Sequence, residues 1–276
     1  MPLLSAMTLK RALEEDGHLL ADGAMGSLLC KEGLVPNTIL PANRTVPFKV
    51  AGVHQRYLEA GSRIITANTF GWRDDENISE YVREGALIAE QAVELSPYMG
   101  SVWLALTSAF LRLEVEILQP IFAGRAVIIE TCTSLKHAEL ALIRAKEATP
   151  VLIGVTCHFR ANGKMPDGSE PEEVVRTLEA CGADIVGANC GDNPESFVGI
   201  AKKMKGATGL PLLIQPSAGL PRDNTLGEWD YPVTIPEFVA SISRLIDMGV
   251  KIVGGCCGTT PDYIRAVHRH CFIGGD

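Results

Sequence analysis

The sequence predicts a single domain, a (β/α)₈ TIM barrel that spans residues 1–276. Short β-branched and apolar runs alternate with amphipathic segments along the chain, and eight such runs can be counted. Several amphipathic segments end in a glycine that leads directly into the next apolar run, as a helix C-cap before a short loop does. No Pro- or Ser-rich linker divides the chain. An open, doubly wound sheet is the alternative architecture.

Each predicted strand is a short run of β-branched and apolar residues. In chain order the eight strands are His18–Ala21, Arg63–Asn68, Ser101–Leu106, Ala126–Glu130, Val151–Thr156, Asp184–Ala188, Leu212–Gln215 and Lys251–Val253.

Helices are predicted wherever apolar residues recur with a period near 3.6. The last helix also carries a start signal, with Thr260 as N-cap and Pro261 at the first helical position. The predicted helices are Phe48–Ala60, Ile78–Leu95, Leu135–Ala148, Pro171–Ala180, Pro194–Met204, Ile235–Met248 and Pro261–His268.

Composition and charge exclude several classes of protein. The net charge of −8 argues against a nucleic-acid partner, which would need clustered Lys and Arg. No apolar run reaches the 18 or more residues of a membrane span, and the first residues lack the features of a secretory signal. We therefore expect no membrane association and a cytoplasmic location. There, clustered cysteines indicate a metal site or catalysis before they indicate disulfides.

Three cysteines at predicted strand ends suggest a zinc site. Cys190 follows the sixth strand, and Cys256 and Cys257 follow the eighth. Zinc prefers tetrahedral sulfur ligands, and a catalytic site keeps one position open. Neighbouring side chains on a strand point to opposite faces, so two adjacent ligands need the irregular backbone that the glycines of Gly254–Gly258 permit. Buried packing thiols and a redox-active vicinal disulfide are the alternatives.

The remaining five cysteines are weaker candidates. Cys30, Cys181 and Cys271 lie in helical or terminal contexts that favour a packing role, whereas Cys132 and Cys157 fall near strand ends and are minor candidates for lining the site.

Two acidic residues form a second candidate group. Asp22 and Glu130 each end a strand at the expected mouth of the barrel, where together they could hold a substrate ammonium group. Backbone N–H groups of Gly23 and Ala24 could bind a carboxylate. An amino acid with a free thiol would satisfy both halves of the site. The alternative for Asp22 is a turn residue, since Asp-Gly is a common turn dipeptide.

These motifs together resemble the homocysteine S-methyltransferase family, which includes the homocysteine domain of cobalamin-dependent methionine synthase and betaine–homocysteine methyltransferase. The resemblance rests on Gly254–Pro261, Gly187–Cys190 and Asp22–Gly26. It implies a zinc enzyme on a (β/α)₈ barrel that methylates homocysteine to methionine. It also implies that the three cysteines hold zinc, that Asp22 and Glu130 hold the homocysteine amino group, and that Gly23 and Ala24 meet its carboxylate.

The resemblance also bears on the methyl donor. Asn68-Thr69-Phe70-Gly71 is similar to the cobalamin-dependent branch, and it adds Asn68 to the substrate-binding residues. Thr131 offers no aromatic face to betaine. No cobalamin-binding Asp-x-His-x-x-Gly motif is present, so we expect a corrinoid carried by a separate protein. S-methylmethionine, transfer to a corrinoid protein, and a non-enzymatic redox-sensing barrel remain alternatives.

Three local departures from the family accompany this expectation. Pro216-Ser217-Ala218-Gly219 has serine where the family has asparagine, and the segments Gly71–Glu84 and Leu106–Arg125 are short for the family. Trp72 and the acidic run Asp74–Glu76 are candidates for a docking surface.

Overall fold

The computed structural model describes residues 6–14, 17–70, 76–97, 101–106, 126–148, 150–223 and 229–274. In these ranges eight parallel strands form one sheet. They are β1 (Leu19–Leu20), β2 (Ile64–Ala67), β3 (Ser101–Leu106), β4 (Ala126–Cys132), β5 (Ile153–Cys157), β6 (Ile185–Cys190), β7 (Leu212–Pro216) and β10 (Ile252–Val253). A short antiparallel ribbon, β8 (Arg222–Asp223) and β9 (Trp229–Asp230), follows β7.

The sheet closes on itself. Its order is β1-β10-β7-β6-β5-β4-β3-β2, and a parallel bridge between Ala21 and Ile64 joins β1 back to β2. The N–H of Asp22 donates to the carbonyl of Ile64 at 3.0 Å, and the N–H of Arg63 donates to that of Leu20 at 2.7 Å. The predicted (β/α)₈ barrel is therefore confirmed, and the open-sheet alternative is wrong.

Helices surround this sheet. They are α1 (Ala6–Glu14), α2 (Gly26–Lys31), α3 (Ala42–Thr45), α4 (Pro47–Glu59), α5 (Ile78–Leu95), α6 (Leu135–Ala148), α7 (Pro171–Ala180), α8 (Pro194–Lys205), α9 (Ile235–Asp247) and α10 (Pro261–Val267). Among the helices in the described ranges, none combines the length and apolarity that a membrane span requires. Residues 107–125 lie outside the described residues, and so do Trp72, Asp74 and Asp75.

Two layers of buried side chains follow from the alternation of residues along each strand. One layer lies between the sheet and the helices and holds residues such as Val127 and Ile129. The other fills the barrel and contains Ala21, Ile64, Ala126, Ile128, Ile185, Leu213 and Ile252, joined by Leu9 of α1.

The inward-facing positions become polar toward the carboxyl ends of the strands. Two residues beyond Ile64, Ile128 and Leu213 of the interior layer come Thr66, Glu130 and Gln215 in the same alternation. Buried polar groups cost free energy unless they find partners. This end of the barrel is therefore built for binding polar groups rather than for stability.

Candidate metal and substrate site

A cavity of about 430 Å³ opens at the carboxyl ends of the strands. None of its described lining residues is a lysine or an arginine. The lining includes all eight site residues predicted from the sequence, namely Asp22, Gly23, Ala24, Asn68, Glu130, Cys190, Cys256 and Cys257.

Three thiols converge in this cavity. The sulfur atoms of Cys190, Cys256 and Cys257 all lie within 4.8 Å of one another, and those of Cys190 and Cys257 are 3.9 Å apart. Tetrahedral geometry with metal–sulfur bonds of about 2.3 Å places two sulfur ligands roughly 3.8 Å apart. The donor set and its spacing therefore fit a zinc ion with one open position.

The backbone around the thiols is irregular, as two adjacent ligands require. Strand β10 ends at Val253, and residues 254–256 have no regular structure. Gly258 has φ +79°, and a side chain there would meet the ring of Tyr231. Cys190 itself is left-handed at φ 66°, a conformation that a non-glycine residue adopts at a cost and that is common at functional sites.

The β7 loop holds both sets of cysteines in place. The N–H of Ser217 donates to the carbonyl of Cys190 at 2.9 Å, and the N–H of Ala218 donates to that of Cys257 at 2.8 Å. The hydroxyl of Ser217 also lies 3.6 Å from the Cys190 sulfur. The strand ends that supply the thiols are thus tied to a common neighbour.

Hydrogen bonding among the three thiols shifts their pKa values in opposite directions. Hydrogen bonds from the thiols of Cys256 and Cys257 lower the pKa of Cys190. In turn, donation to Cys190 raises the pKa of Cys256 and brings that of Cys257 to about 12. These directions favour ionisation of Cys190 before Cys256 and Cys257.

Asp22 is buried beside β2. Its carboxylate accepts the N–H of Thr66 at 2.8 Å and the hydroxyl of Thr66 at 2.9 Å. Burial nevertheless raises the pKa of Asp22 to about 7, because no cation compensates the desolvation of the charge.

Glu130 faces the same cavity from β4. The register of β4 against β5 shifts between Ile129 and Cys132, so Glu130–Thr131 forms a bulge, a device that re-aims a side chain next to a functional site. Burial, and after it the charges of Asp22 and Cys190, raise the pKa of Glu130 to about 8. Two acids that repel each other across a cavity whose described lining residues include no cation favour a cationic ligand.

The loop after β1 is fastened to the loop after β10. The N–H of Ala24 points to both the carbonyl and the hydroxyl of Thr259, each at 3.2 Å. The hydroxyl of Tyr57 bridges the carbonyls of Ala24 at 2.8 Å and Thr259 at 3.0 Å. The N–H of Ala24 is thus engaged within the protein, whereas that of Gly23 has no partner among the described residues.

Asn68 is buried and fixes the loop between β2 and α5 as well as lining the cavity. Its side-chain amide donates to the carbonyl of Ile39 and to the Oδ1 of Asn43, both at 2.8 Å. Only its Oδ1 is left to contact a ligand.

Other residues of the cavity wall were not among the predicted site residues, including Trp229, Tyr231 and Cys30. Trp229 and Tyr231 come from the β8–β9 ribbon, and Cys30 comes from α2. These elements are too short to leave a periodic signal, and Cys30 was expected to be a packing residue. Cys132 and Cys157, by contrast, lie in register on β4 and β5 and belong to the buried layer beneath the helices, not to the cavity.

Comparison with known proteins agrees with this geometry. The sequence profile of the homocysteine S-methyltransferase family matches residues 19–111 and 122–271. The methionine synthase of Mycobacterium leprae is 29% identical over 90% of this chain, and the chain spans 24% of that protein's length. The selenocysteine Se-methyltransferase of Brassica oleracea is 25% identical over 95% of this chain, and the match covers 91% of that protein's length.

Among solved structures, the metallated form of the homocysteine methyltransferase MmuM from Escherichia coli superposes with a TM-score of 0.73 and 20% identity, covering 94% of this chain and 98% of its own. The structural match at this low identity shows a common fold, whereas the sequence-profile match over most of the chain shows membership of the family. The chain belongs to the homocysteine S-methyltransferase family.

Proposed function

We propose that this chain is a zinc-dependent methyltransferase that transfers a methyl group to the thiol of homocysteine and yields methionine. The observation that carries the proposal is the cavity itself, in which three thiols and two acids face one space and no described lining residue is cationic. A metal ion suits the thiols, and a substrate ammonium suits the acids. Homocysteine carries that ammonium and a thiol on one short chain.

Cys190, Cys256 and Cys257 are the proposed zinc ligands. Zinc, when bound, would act as a Lewis acid that lowers the pKa of a thiol in its open position and so makes the thiolate available at neutral pH. The chain's own contribution is to hold the three sulfurs at fixed spacing through the β7 loop and to orient the substrate for in-line transfer.

Asp22 and Glu130 are the proposed partners of the homocysteine ammonium group. An ammonium between them relieves their mutual repulsion and favours the ionised form of both, through charge-assisted hydrogen bonds. The N–H of Gly23 is the proposed donor to the substrate carboxylate. Ala24 contributes by shaping the loop, since Thr259 already receives its N–H. Asn68 lines the site, and its Oδ1 is the proposed contact with the substrate.

For the donor we propose a methyl-corrinoid presented by a separate protein. The cavity mouth carries exposed apolar side chains, with Phe70 at 42% and Trp229 at 48% exposure. Val35, 56% exposed, extends this surface along a second cavity of about 560 Å³ that shares Trp229 and Tyr231 with the first. Exposed apolar surface beside an open site suits a docked partner.

S-methylmethionine is the second candidate donor. Trp229 and Tyr231 present aromatic rings at the cavity wall, and a ring face attracts a cation such as a sulfonium. Position 131 carries threonine rather than an aromatic residue. The aromatic contact proposed for the sulfonium therefore rests on Trp229 and Tyr231 alone.

We further propose that residues 1–276 form one domain and that it works in the cytoplasm. The barrel closes within one chain, and all eight cysteines are free thiols, which suits a reducing compartment.

The test is to measure zinc content and methionine formation from homocysteine with methylcobalamin, a methylated corrinoid protein, S-methylmethionine or betaine supplied separately. We expect about one zinc per chain and turnover with the corrinoid donors. Cys257→Ala should lose the metal, while Cys271→Ala, outside the cavity, should keep metal and activity. Stoichiometric zinc in Cys257→Ala would contradict the ligand assignment. Turnover with betaine but with none of the other donors would contradict the proposal of a corrinoid donor.

A further inference from the structure

The side chain of Asn189 links two parts of the site, the residue next to Glu130 and the thiol of Cys256. It is the last inward-facing residue of β6, it is 1% exposed, and it directly precedes Cys190. Its amide contacts three residues from three other strand ends, namely Thr131, Thr156 and Cys256. A buried amide with this many partners acts as a junction of the site.

The orientation of this amide follows from its partners. The backbone N–H of Thr131 can only donate, so the atom it meets at 2.9 Å is the Asn189 Oδ1, which also accepts the hydroxyl of Thr156 at 2.9 Å. The Nδ2 therefore faces the other side. There it donates to the Oγ1 of Thr131 at 2.8 Å and to the sulfur of Cys256 at 3.7 Å.

On the acid side, Asn189 stabilises a strained residue. Thr131 has φ 58°, a left-handed conformation that is rare and strained for a β-branched residue. Asn189 holds both the N–H and the hydroxyl of Thr131. The bulge that aims Glu130 into the cavity therefore depends on this amide.

On the thiol side, the same amide donates to a proposed zinc ligand. Donors to metal ligands orient them and tune their charge, and their loss typically lowers metal affinity by about 10- to 100-fold. Cys256 receives this N–H across the barrel, from a residue 67 positions away in sequence.

We infer that Asn189 is a positioning residue that couples the acid Glu130 to the metal ligand Cys256. The inference rests on the proposed function and adds to it a residue that touches neither substrate nor metal. One amide holds the bulge behind the substrate ammonium and donates to the sulfur beside the substrate thiol. The two ends of homocysteine are thereby kept at a fixed separation.

Two substitutions separate the two halves of this role. Asn189→Asp keeps both accepted hydrogen bonds, and Thr131 can turn its hydroxyl to donate to the second oxygen, so the acid side is preserved. The same variant loses the N–H donor to Cys256 and places an anionic oxygen beside the sulfur. Asn189→Ala removes both sides. Ser241→Ala is the matched control, because Ser241 is a buried polar residue on α9 that loses one hydrogen bond to Glu237 outside the cavity.

The experiment measures zinc affinity by chelator competition, the absorption bands of the cobalt-substituted protein, and the KM for homocysteine at saturating zinc. For Asn189→Asp we expect roughly 10- to 100-fold weaker zinc binding and shifted sulfur-to-cobalt bands, with KM within about twofold. For Asn189→Ala we expect the same metal effects together with roughly tenfold higher KM. Ser241→Ala should match the wild-type protein in all three.

Wild-type zinc affinity and cobalt bands in both Asn189 variants would overturn the inference, and so would a raised KM in Asn189→Ala without any change at the metal. These outcomes differ from failure of the proposed function, in which the wild-type protein itself neither binds zinc nor methylates homocysteine. Thermal unfolding of each variant checks that the protein is folded before the comparison.

Discussion

Replacing Asp22 with asparagine separates a binding role for this carboxylate from a turn-forming one. Asparagine keeps the contacts with Thr66, since its Oδ1 accepts the N–H and its Nδ2 donates to the hydroxyl. It removes only the buried charge. If that charge exists for a ligand, the metal-free protein should become more stable and the enzyme should bind homocysteine less well.

The magnitude follows from the pKa. Burial raises the pKa of Asp22 from 3.8 to about 7, so the native protein binds the proton more tightly than the unfolded chain does. The free energy of unfolding therefore falls as pH rises from 3.8 toward 7 and levels off above that. At about 1.4 kcal/mol per pKa unit the full shift is on the order of 4 kcal/mol, and relaxation of water and side chains around the cavity reduces it to ~2 kcal/mol.

Urea unfolding of the metal-free, reduced protein at pH 5 and pH 8 measures this effect. Asp22→Asn should exceed the wild-type protein by about 2 kcal/mol at pH 8, and the gain should shrink at pH 5. The KM for homocysteine should rise roughly tenfold. Asp184→Asn is the control, because that carboxylate is paired with Lys146 at 2.8 Å and should gain nothing. A loss of stability in Asp22→Asn at pH 8, or a gain independent of pH, would refute the reasoning.

Three more predictions follow from buried groups. Zinc binding at pH 7.5 should release about two protons, because the pKa of Cys190 is lowered while those of Cys256 and Cys257 are raised. Calorimetry in buffers of different ionisation enthalpy counts them, and release of none or three would contradict the shared thiolate. The kcat/KM for homocysteine should rise between about pH 6 and 8 as the two acids ionise, and Glu130→Gln, which removes the group with a pKa of about 8, should move that limb to lower pH. If the rise of kcat/KM stays at the same pH in Glu130→Gln, Glu130 is not the group whose ionisation controls it. Burial lowers the pKa of His54 to about 3, so stability should fall as pH drops below 6.5, and His54→Leu should remove most of that acid sensitivity in unfolding experiments. Equal acid sensitivity in the variant would assign the loss to other groups.

The sequence predicted the barrel because its signals are local. Each apolar strand run and each glycine at a helix C-terminus is recognised from a few consecutive residues. The predicted helices Ile78–Leu95, Leu135–Ala148 and Pro171–Ala180 have the same bounds in the structure. Short elements were not predicted. Helices α2 and α3 and the β8–β9 ribbon are too short for periodicity, and tertiary contacts hold them, as when the Lys49 ammonium donates to the Glu32 carbonyl at the end of α2.

The candidate site was predictable where strand topology alone brings residues together. Parallel strands end on one side of a barrel, so the cysteines after β6 and β10 had to be neighbours. The orientation of the groups was not predictable in this way. Whether the N–H of Ala24 is free depends on Thr259, 235 positions away, and the aim of Glu130 depends on a bulge that Asn189 supports. Such long-range hydrogen bonds leave no pattern in the sequence.

On the proposed function, charge balance favours an amino acid over a simple thiol as the substrate. Without metal, the lowered pKa of Cys190 and the raised pKa values of Cys256 and Cys257 favour one thiolate, on Cys190, with two protons retained. Binding of a divalent cation with release of those two protons would leave a net charge of about −1 on the sulfur cluster. Burial raises the pKa of Glu130 most, the charge of Asp22 adds to it, and the smaller contribution of the sulfur cluster would persist after the metal is bound. A thiol without an ammonium group would leave both acids uncompensated, whereas in the proposed site the ammonium group of homocysteine would supply the positive charge between them.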